Sequence, residues 1–241
     1  MINVYLLLDR QTREHQFNQN SMVSMKKFVV KSIVLGLWAL ACVATAQASE
    51  MVNENHAERT ASSTVKVLVV GLDHVHSNYY PGSMITEETG IPEDSLSETY
   101  NRIITDNIIL SNKDKKFAFI SAEQFSDAKQ LVGDPEICGE DEESYVDINQ
   151  INRQNYSRLV DEVDADYVLF LNQHYLKWQE KPLRTLFHFV SFSLFDKDQQ
   201  EVTKGNHYFT CMNLETADKL SKASRKSSSK IASKVIKSID K

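Results

Sequence analysis

The sequence predicts a single α+β domain, a mixed β-sheet flanked by helices with the element order β-α-β-α-β-β-β-α. Three observations lead to this prediction. A nearly uninterrupted apolar, β-branched run at 65–72 is typical of a central strand covered on both faces. Apolar residues recur at helical spacing after residue 95, and from 184 to 211 the apolar period changes to two, as in a β-hairpin.

The first half of the domain follows from local patterns. After the strand at 65–72 comes a long loop at 73–94. Ser95 and Glu98 have the spacing of a capping box, which predicts the start of the first helix. A second strand is predicted at 116–121. The acidic connection that follows it, 126–148, is predicted to be a solvated loop because so many charges cannot be buried.

The second half contains one helix, three strands and a final helix. The first of these helices carries an apolar stripe made of Tyr156, Leu159, Val160 and Val163. A third buried strand is predicted at 167–171, a hairpin at 184–211 and a terminal helix at 214–241. The lysines of this last helix are interpreted as solvated, which also suits the negative end of the helix dipole.

An export signal is predicted near the beginning of the chain. Three lysines precede an apolar run at 33–46, and the tripeptide Ala-Gln-Ala at 46–48 has the small residues that a signal peptidase accepts. The lysines are Lys26, Lys27 and Lys31. The pattern predicts a signal peptide over 25–48 and a periplasmic location.

The segments around this signal are interpreted from their polarity. Residues 1–24 have no export-like order of charges and are interpreted as a mis-assigned extension of the start. Residues 49–64 are predicted to be a flexible tether, and 65–241 the single globular domain. Cleavage after Ala48 would leave 22 basic and 31 acidic residues, a net charge of −9. Nucleic-acid binding is therefore not expected, because it needs clustered positive charge.

The three cysteines leave two alternatives open. Cys42 follows Ala39-Leu40-Ala41, a loose lipobox, so lipidation of Cys42 and anchoring to the outer membrane is the alternative to a free periplasmic protein. Membrane contact is expected only in that case. Cys138 and Cys211 are candidates for a disulfide in an oxidising compartment, or they remain separate thiols, since their spacing does not decide.

A set of short sequence patterns resembles a known periplasmic fold. These are the export signal, the strand KVLVVGL with its long loop, the stretch VDADYVL at 163–169, the hairpin segment VSFSLFD at 190–196 and a terminal helix. In this order they resemble the fold shared by the TolB amino-terminal domain, CsgG and LpoB, over roughly residues 65–240. The resemblance implies a non-catalytic module that binds other envelope proteins, and it transfers no catalytic residue.

Catalytic motifs are scarce. The chain has no nucleophile elbow, zinc-protease helix, phosphate-binding loop or dinucleotide fingerprint, and only seven glycines. Asp73, His74 and His76 directly follow the first strand and look like the first metal-ligand motif of amidohydrolase-type barrels. Such a barrel typically takes about 250 residues, more than this domain has. A non-enzyme without cofactor or assigned metal is predicted, and a small metal-dependent hydrolase or metal-binding protein is the alternative.

Aromatic residues with polar groups provide the candidate binding site. Asn78, Tyr79 and Tyr80 lie in the loop after the first strand, and Tyr175 and Trp178 follow the third strand. Amphipathic rings of this kind are enriched at protein interfaces. The sequence therefore predicts an exported binding or assembly-accessory protein of the Gram-negative cell envelope, whose partners are envelope proteins that the sequence does not name.

The export prediction is tested by the native N-terminus. We expect mass spectrometry of the protein isolated from cells to show a chain that begins at Ser49 and fractionates with the periplasm. An acylated Cys42 at the N-terminus would establish the lipid-anchored alternative. An uncleaved chain in the cytosol would contradict export altogether.

Overall fold

The computed structural model describes residues 64–241, and this part of the chain contains eight strands. The strands are β1 (Val65–Gly71), β2 (Val75–Ser77), β3 (Phe117–Ser121), β4 (Ile137–Glu140), β5 (Glu143–Val146), β6 (Tyr167–Gln179), β7 (Thr185–Asp196) and β8 (Glu201–Cys211). Six of them form one sheet in the order β3-β1-β6-β7-β8, with β2 pairing with β6 beyond the end of β1. Strand β1 is parallel to its neighbours β3 and β6. Strand β7 is antiparallel to its neighbours β6 and β8.

Helices cover both faces of this sheet. They are α1 (Gly82–Thr89), α2 (Leu96–Ser111), α3 (Ala128–Val132), α4 (Arg153–Val163) and α5 (Ala217–Ile239). None of these five helices is both long enough and apolar enough to span a bilayer. The predicted fold class, a mixed sheet flanked by helices, is confirmed.

The structure adds elements to segments that were predicted to be loops. The segment 73–94 contains β2 and α1, and the segment 126–148 contains α3 and the antiparallel hairpin β4–β5. The third predicted strand, expected to end at residue 171, continues to Gln179 as β6. The predicted signal peptide and start extension, and all of the tether except Thr64, lie outside the described residues.

The predicted capping box at Ser95 is not formed. Helix α2 does begin at Leu96, but the Ser95 hydroxyl donates to the carbonyl of Pro92 at 3.2 Å instead of capping the helix. A 3₁₀ turn over 93–95 precedes the helix and leads the chain into it. The boundary was therefore predicted correctly from an interaction that the folded chain replaces by a local turn.

Strand β1 is buried on both faces because the sheet separates two cores. Val67 and Val69 point into the core formed with α2 and α5, whereas Leu68 and Val70 point into the core formed with α3 and α4. Successive side chains of a strand point to opposite faces, so an uninterrupted apolar run supplies both cores.

Helices α2 and α5 pack together through small and polar residues. Ser224, Ser227 and Ser228 of α5 are buried, and the side-chain amide of Asn107 on α2 donates to the Ser224 hydroxyl at 2.9 Å and to the Ser221 carbonyl at 2.8 Å. The small side chains let the helix axes approach closely. Serines that break the apolar period of α5 therefore belong to its buried face.

A β-bulge at Asn172 changes which side chains of β6 face which core. The pairing with β7 shifts between Leu171 and Gln173, and the Asn172 amide donates to the buried Ser193 hydroxyl at 3.0 Å. Leu171 lies in the α2/α5 core before the bulge, and Leu176 lies there after it. The bulge inserts one residue, so even-numbered side chains take over the face that odd-numbered ones occupied.

The acidic hairpin β4–β5 is docked on the sheet, which corrects the prediction of a simple solvated loop. The side-chain amide of Gln173 donates to the Asp141 carbonyl at 2.7 Å, and that of Asn206 donates to the Glu142 carbonyl at 3.1 Å. The Lys177 ammonium lies 3.1 Å from the Glu142 carboxylate. Backbone carbonyls make most of these contacts, so most of the carboxylates stay exposed to solvent.

The candidate disulfide is not formed, and both cysteines are free thiols. Cys138 is exposed on β4, and Cys211 is half-buried at the end of β8. Burial raises the pKa of the Cys211 thiol to about 11, with Glu215 as the next cause. The thiolate form, which attacks disulfides, is therefore scarce at neutral pH for Cys211.

Two histidines are buried in the α2/α5 core. His174 is 3% exposed and its Nε2 donates to the Asn101 side-chain oxygen at 3.1 Å, since the amide nitrogen of Asn101 is used on the Leu72 carbonyl. His188 is 2% exposed and stacks on Phe209 at a centroid distance of 4.6 Å. Burial lowers the pKa of His174 to about 4, and burial together with His174 lowers that of His188 to about 3. Both rings are therefore neutral at pH 7.

These depressed pKa values predict loss of stability in acid. Above pH 6.5, the ordinary histidine pKa, neither the folded nor the unfolded rings take up a proton. Below it, only the unfolded rings do, so each histidine should lower the free energy of unfolding by about 1.4 kcal/mol per pH unit until its folded pKa is reached. Urea titrations at a series of pH values between 7 and 5 measure this slope.

The variant His188→Phe separates this effect from the titration of carboxylates. Neither ring nitrogen of His188 has a hydrogen-bond partner among the described residues, so an apolar ring should be tolerated at pH 7 and should flatten the acid loss. The control Asn149→Ala changes an exposed side chain that does not titrate and should leave the slope unchanged. A slope as steep in His188→Phe as in the unmodified protein would contradict the assignment.

Candidate aromatic binding surface

Three aromatic rings meet at the end of β6, where Asn78, Tyr79, Tyr80 and Trp178 form what we name the aromatic cluster. The rings of Tyr79 and Trp178 stack at a centroid distance of 6.0 Å, and Tyr80 meets Trp178 edge-on at 5.9 Å. Tyr79 and Tyr80 also meet edge-on at 5.0 Å. These offset and edge-on geometries are the favourable ones for aromatic pairs.

Backbone pairing holds the aromatic cluster in place. Strand β2 pairs with β6 so that Ser77 lies opposite Leu176. The Ser77 hydroxyl donates to the Leu176 carbonyl at 3.0 Å and accepts from the backbone N–H groups of Tyr79 and Tyr80. This single hydroxyl turns the chain so that both tyrosines lie beside β6.

Asn78 extends the pairing by one residue through its side chain. Its Oδ1 accepts from the Trp178 backbone N–H at 2.9 Å, and its Nδ2 donates to the Trp178 carbonyl at 3.5 Å. A side-chain amide has the same donor and acceptor groups as a peptide bond, so it can replace one. Asn78 therefore acts as a positioning residue for Trp178.

The aromatic cluster presents an apolar surface with charges at its rim. Tyr79 is 60% exposed, and Leu183 in the turn between β6 and β7 is 74% exposed. The Arg184 guanidinium carbon lies 5.2 Å from the centre of the Trp178 ring, and the indole N–H donates to Glu180 at 3.2 Å. Burial, and next the neighbouring Tyr79, raise the pKa of Tyr80, so its hydroxyl stays protonated.

Tyr175 does not join the aromatic cluster. Its side chain is 2% exposed and points to the opposite face of β6, as the alternation after the bulge requires. There it stacks on His76 at 5.5 Å and on Phe189 at 6.3 Å, and Phe189 lies 5.4 Å from the exposed Tyr208. These rings cross β2, β6, β7 and β8 in one row.

Sequence reasoning missed Phe189 and Tyr208 as parts of an aromatic surface. Both lie in the hairpin predicted from the period of two. Each directly precedes a buried residue of its strand, Val190 or Phe209, so the alternation places both rings on the other face of the sheet. The signal was therefore present in the alternation. The alternation does not show what covers these two rings. Neither of them belongs to the α3/α4 core, whose hairpin residue is Phe195 at the other end of β7.

Asp73, His74 and His76 do not form one ligand set. The Asp73 carboxylate faces Lys129 at 3.7 Å, His74 Nε2 lies 3.9 Å from Asp134, and His76 stacks on Tyr175. Within residues 64–241 no group of three or more His, Cys, Asp or Glu side chains has the geometry to hold a metal ion. Asp73, His74 and His76 border one open cavity of about 600 Å³, but each has a separate partner and they do not form a ligand set.

A cavity of about 330 Å³ lies at the carboxyl ends of β1 and β3, the edge at which open α/β sheets tend to bind ligands. Glu98, Glu123 and Lys129 supply its charged lining together with Asp73. Burial raises the pKa of the Glu123 carboxyl, with Arg102 opposing that shift. A raised carboxyl pKa is the property of a general acid, but Glu123 alone makes no catalytic arrangement.

No protein-family model matches this chain, and no curated protein does. Among solved structures, the LpoB C-terminal domain from Salmonella enterica is 14% identical with a TM-score of 0.29, over 62% of this chain and 85% of that chain. The lipoprotein GNA1162 from Neisseria meningitidis is 13% identical with a TM-score of 0.31, over 73% and 98%.

The PelC dodecamer from Paraburkholderia phytofirmans is a further similar structure, 12% identical with a TM-score of 0.34, over 71% of this chain and 87% of that chain. LpoB, one of the proteins that the sequence resembles, is therefore also among the similar structures. The likeness concerns the fold alone.

The positioning role of Asn78 predicts a spectroscopic change. Trp178 is the only tryptophan after residue 48, so the fluorescence of the processed protein reports on the aromatic cluster. We expect Asn78→Ala to shift Trp178 emission to longer wavelength and to speed exchange of the Trp178 amide proton, at a cost of about 1 kcal/mol in stability. Asn149→Ala, at an exposed turn, is the control. Unchanged emission and exchange in Asn78→Ala would refute the role.

Proposed function

We propose that this protein is an exported, non-catalytic binding or assembly-accessory protein of the Gram-negative cell envelope. Its contact surface is the aromatic cluster, joined by the exposed edge of the β7–β8 hairpin. The observation that carries the proposal is the Tyr79 ring, which is 60% exposed although it stacks on Trp178. A ring held in one orientation by its neighbours and open to solvent is suited to binding a partner.

The energetics of interfaces favour this surface. Tyr, Trp and Arg are the residue types that supply most of the binding energy at protein interfaces, and Tyr79, Trp178 and Arg184 lie together here. The stacking already restricts the rings, so little conformational entropy remains to be lost on binding. Leu183 enlarges the apolar area at the same end of the sheet.

The envelope location is supported by the export pattern at 25–48, which lies outside the described residues. A periplasmic protein follows from cleavage after Ala48, and a lipid-anchored protein would follow from acylation of Cys42. In both cases the domain faces the periplasm, and its partners are envelope proteins.

The alternative of a small metal-dependent hydrolase gains no support from the geometry. Asp73, His74 and His76 are directed at Lys129, Asp134 and Tyr175 respectively. A zinc site needs three or four ligands within about 2.0–2.3 Å of one point, which these directions do not provide.

Site-specific crosslinking in intact cells tests the proposal. A photoreactive phenylalanine analogue at Tyr79 keeps an aromatic ring in the exposed position and should yield discrete adducts with envelope proteins, identified by mass spectrometry. The same analogue at Leu110, which is 77% exposed on α2, is the matched control and should yield none of these adducts.

The outcomes separate the proposal from its competitors. Adducts at Tyr79 that disappear when Trp178 is changed to Ala would support recognition by the aromatic cluster. The same adducts at both positions, adducts with cytosolic proteins, or none at either position would refute it.

A further inference from the structure

The edge strand β8 and the second half of α5 enclose a basic groove. It has a volume of about 440 Å³ and is lined by Thr203, His207, Lys230, Ser233, Lys234, Lys237, Ser238 and Lys241. We name these residues the basic groove. Lys230, Lys234 and Lys237 come from one face of α5 and Lys241 follows the helix, and no Asp or Glu is among the lining residues.

One lysine of the basic groove is held against the backbone of the edge strand. The Lys234 ammonium donates to the Lys204 carbonyl at 2.8 Å and lies 5.2 Å from the centre of the Phe192 ring. Gly205 makes room for it, because a side chain at this position would collide with the ammonium. The Lys234 ammonium is thus fixed at the edge of the sheet by these contacts.

The charge of the basic groove is concentrated enough to act on its own members. His207 is half-buried between β8 and α5, and its pKa is lowered by burial and then by Lys230 and Lys234. The protein as a whole is acidic, with a net charge of −6. A local positive site on an acidic protein attracts an anionic partner and orients it.

Strand β8 lines the basic groove through Thr203 and His207. It has eleven residues, ends the sheet, and pairs only with β7 among the described strands. A groove that follows an open strand edge accommodates an extended polypeptide, and such an edge is a site at which a segment of another protein can lie.

We infer that the basic groove binds an acidic, extended segment of a partner protein. This inference rests on the proposed function, since it names the chemistry of the partner at the hairpin edge. A second copy of the chain fits poorly, because pairing two β8 edges would bring two sets of groove lysines together.

A lipid surface fits less well than an acidic segment. Membrane-binding helices place large apolar or aromatic side chains beside their lysines. The exposed large apolar residues of the described chain are Tyr79, Met84, Leu110, Leu183, Tyr208 and Met212, and none of them lines the basic groove.

Fluorescence anisotropy with a labelled peptide of alternating Glu and Val residues tests the inference on the purified protein. Binding should weaken at high salt and should be lost when Gln replaces Glu in the peptide. The variant Lys230→Gln/Lys237→Gln changes two exposed groove lysines and should weaken binding by about tenfold. Lys222→Gln/Lys226→Gln removes the same charge from exposed positions of α5 outside the groove and should change it by less than about twofold.

Several results would overturn the inference. These are no binding of the acidic peptide, equal weakening by both double variants, or binding of phosphatidylglycerol vesicles without binding of the peptide. A dimer seen by sedimentation velocity that the groove variant dissociates would assign the surface to a second copy instead. The variant Leu110→Ala, at an exposed position outside both surfaces, should leave peptide binding unchanged. Crosslinking at Tyr79 and peptide binding by the groove lysines are scored on different residues, so failure of the proposed aromatic surface and failure of the basic groove are measured separately.

Discussion

The bulge at Asn172 is the constraint on which the surfaces of this protein depend. Strand β6 is paired on both sides along most of its length, so its side chains have no freedom to rotate between faces. The bulge exchanges the two faces halfway along the strand. After it, Trp178 lies on the side of Tyr79 and Tyr80, and Tyr175 lies on the side of Phe189. Without the exchange, neighbouring aromatic residues would face the opposite cores.

The two cores differ in extent, and this difference creates the exposed features. The α2/α5 core follows the whole length of the hairpin, from Leu194 to Leu186, whereas the α3/α4 core ends near Phe195. The docked hairpin β4–β5 covers the middle of the shorter side. Aromatic rings that would otherwise be core residues therefore remain partly open at the far end.

Histidine side chains have different surroundings in different parts of the fold. The buried His174 and His188 are neutral because no charge partner offsets their desolvation, while His207 is half-buried beside the lysines of the basic groove. The histidines next to β1 have a third kind of surrounding, a loop in which each polar side chain has its own neighbour. Histidine therefore has three different surroundings in one domain, and residue type alone does not decide which.

Several properties follow from the sequence because they depend on local order. The apolar run of β1, the period of two in β7 and β8 and the stripe of α4 are sufficient to predict the mixed sheet and its flanking helices. The joining of Tyr79 with Tyr80 is also local, since a serine hydroxyl two residues before Tyr79 turns the chain. Each of these features involves residues close together in the chain, and local patterns record such contacts well.

Only the tertiary structure decided the rest. Trp178 joins Tyr79 through pairing between residues one hundred positions apart, and a single inserted residue at Asn172 decides which face Trp178 takes. The basic groove likewise exists because α5 folds back on β8, which brings lysines predicted to be solvated against a strand edge. Register and packing between distant segments are collective properties of the fold, so no local pattern of charge or hydrophobicity contains them.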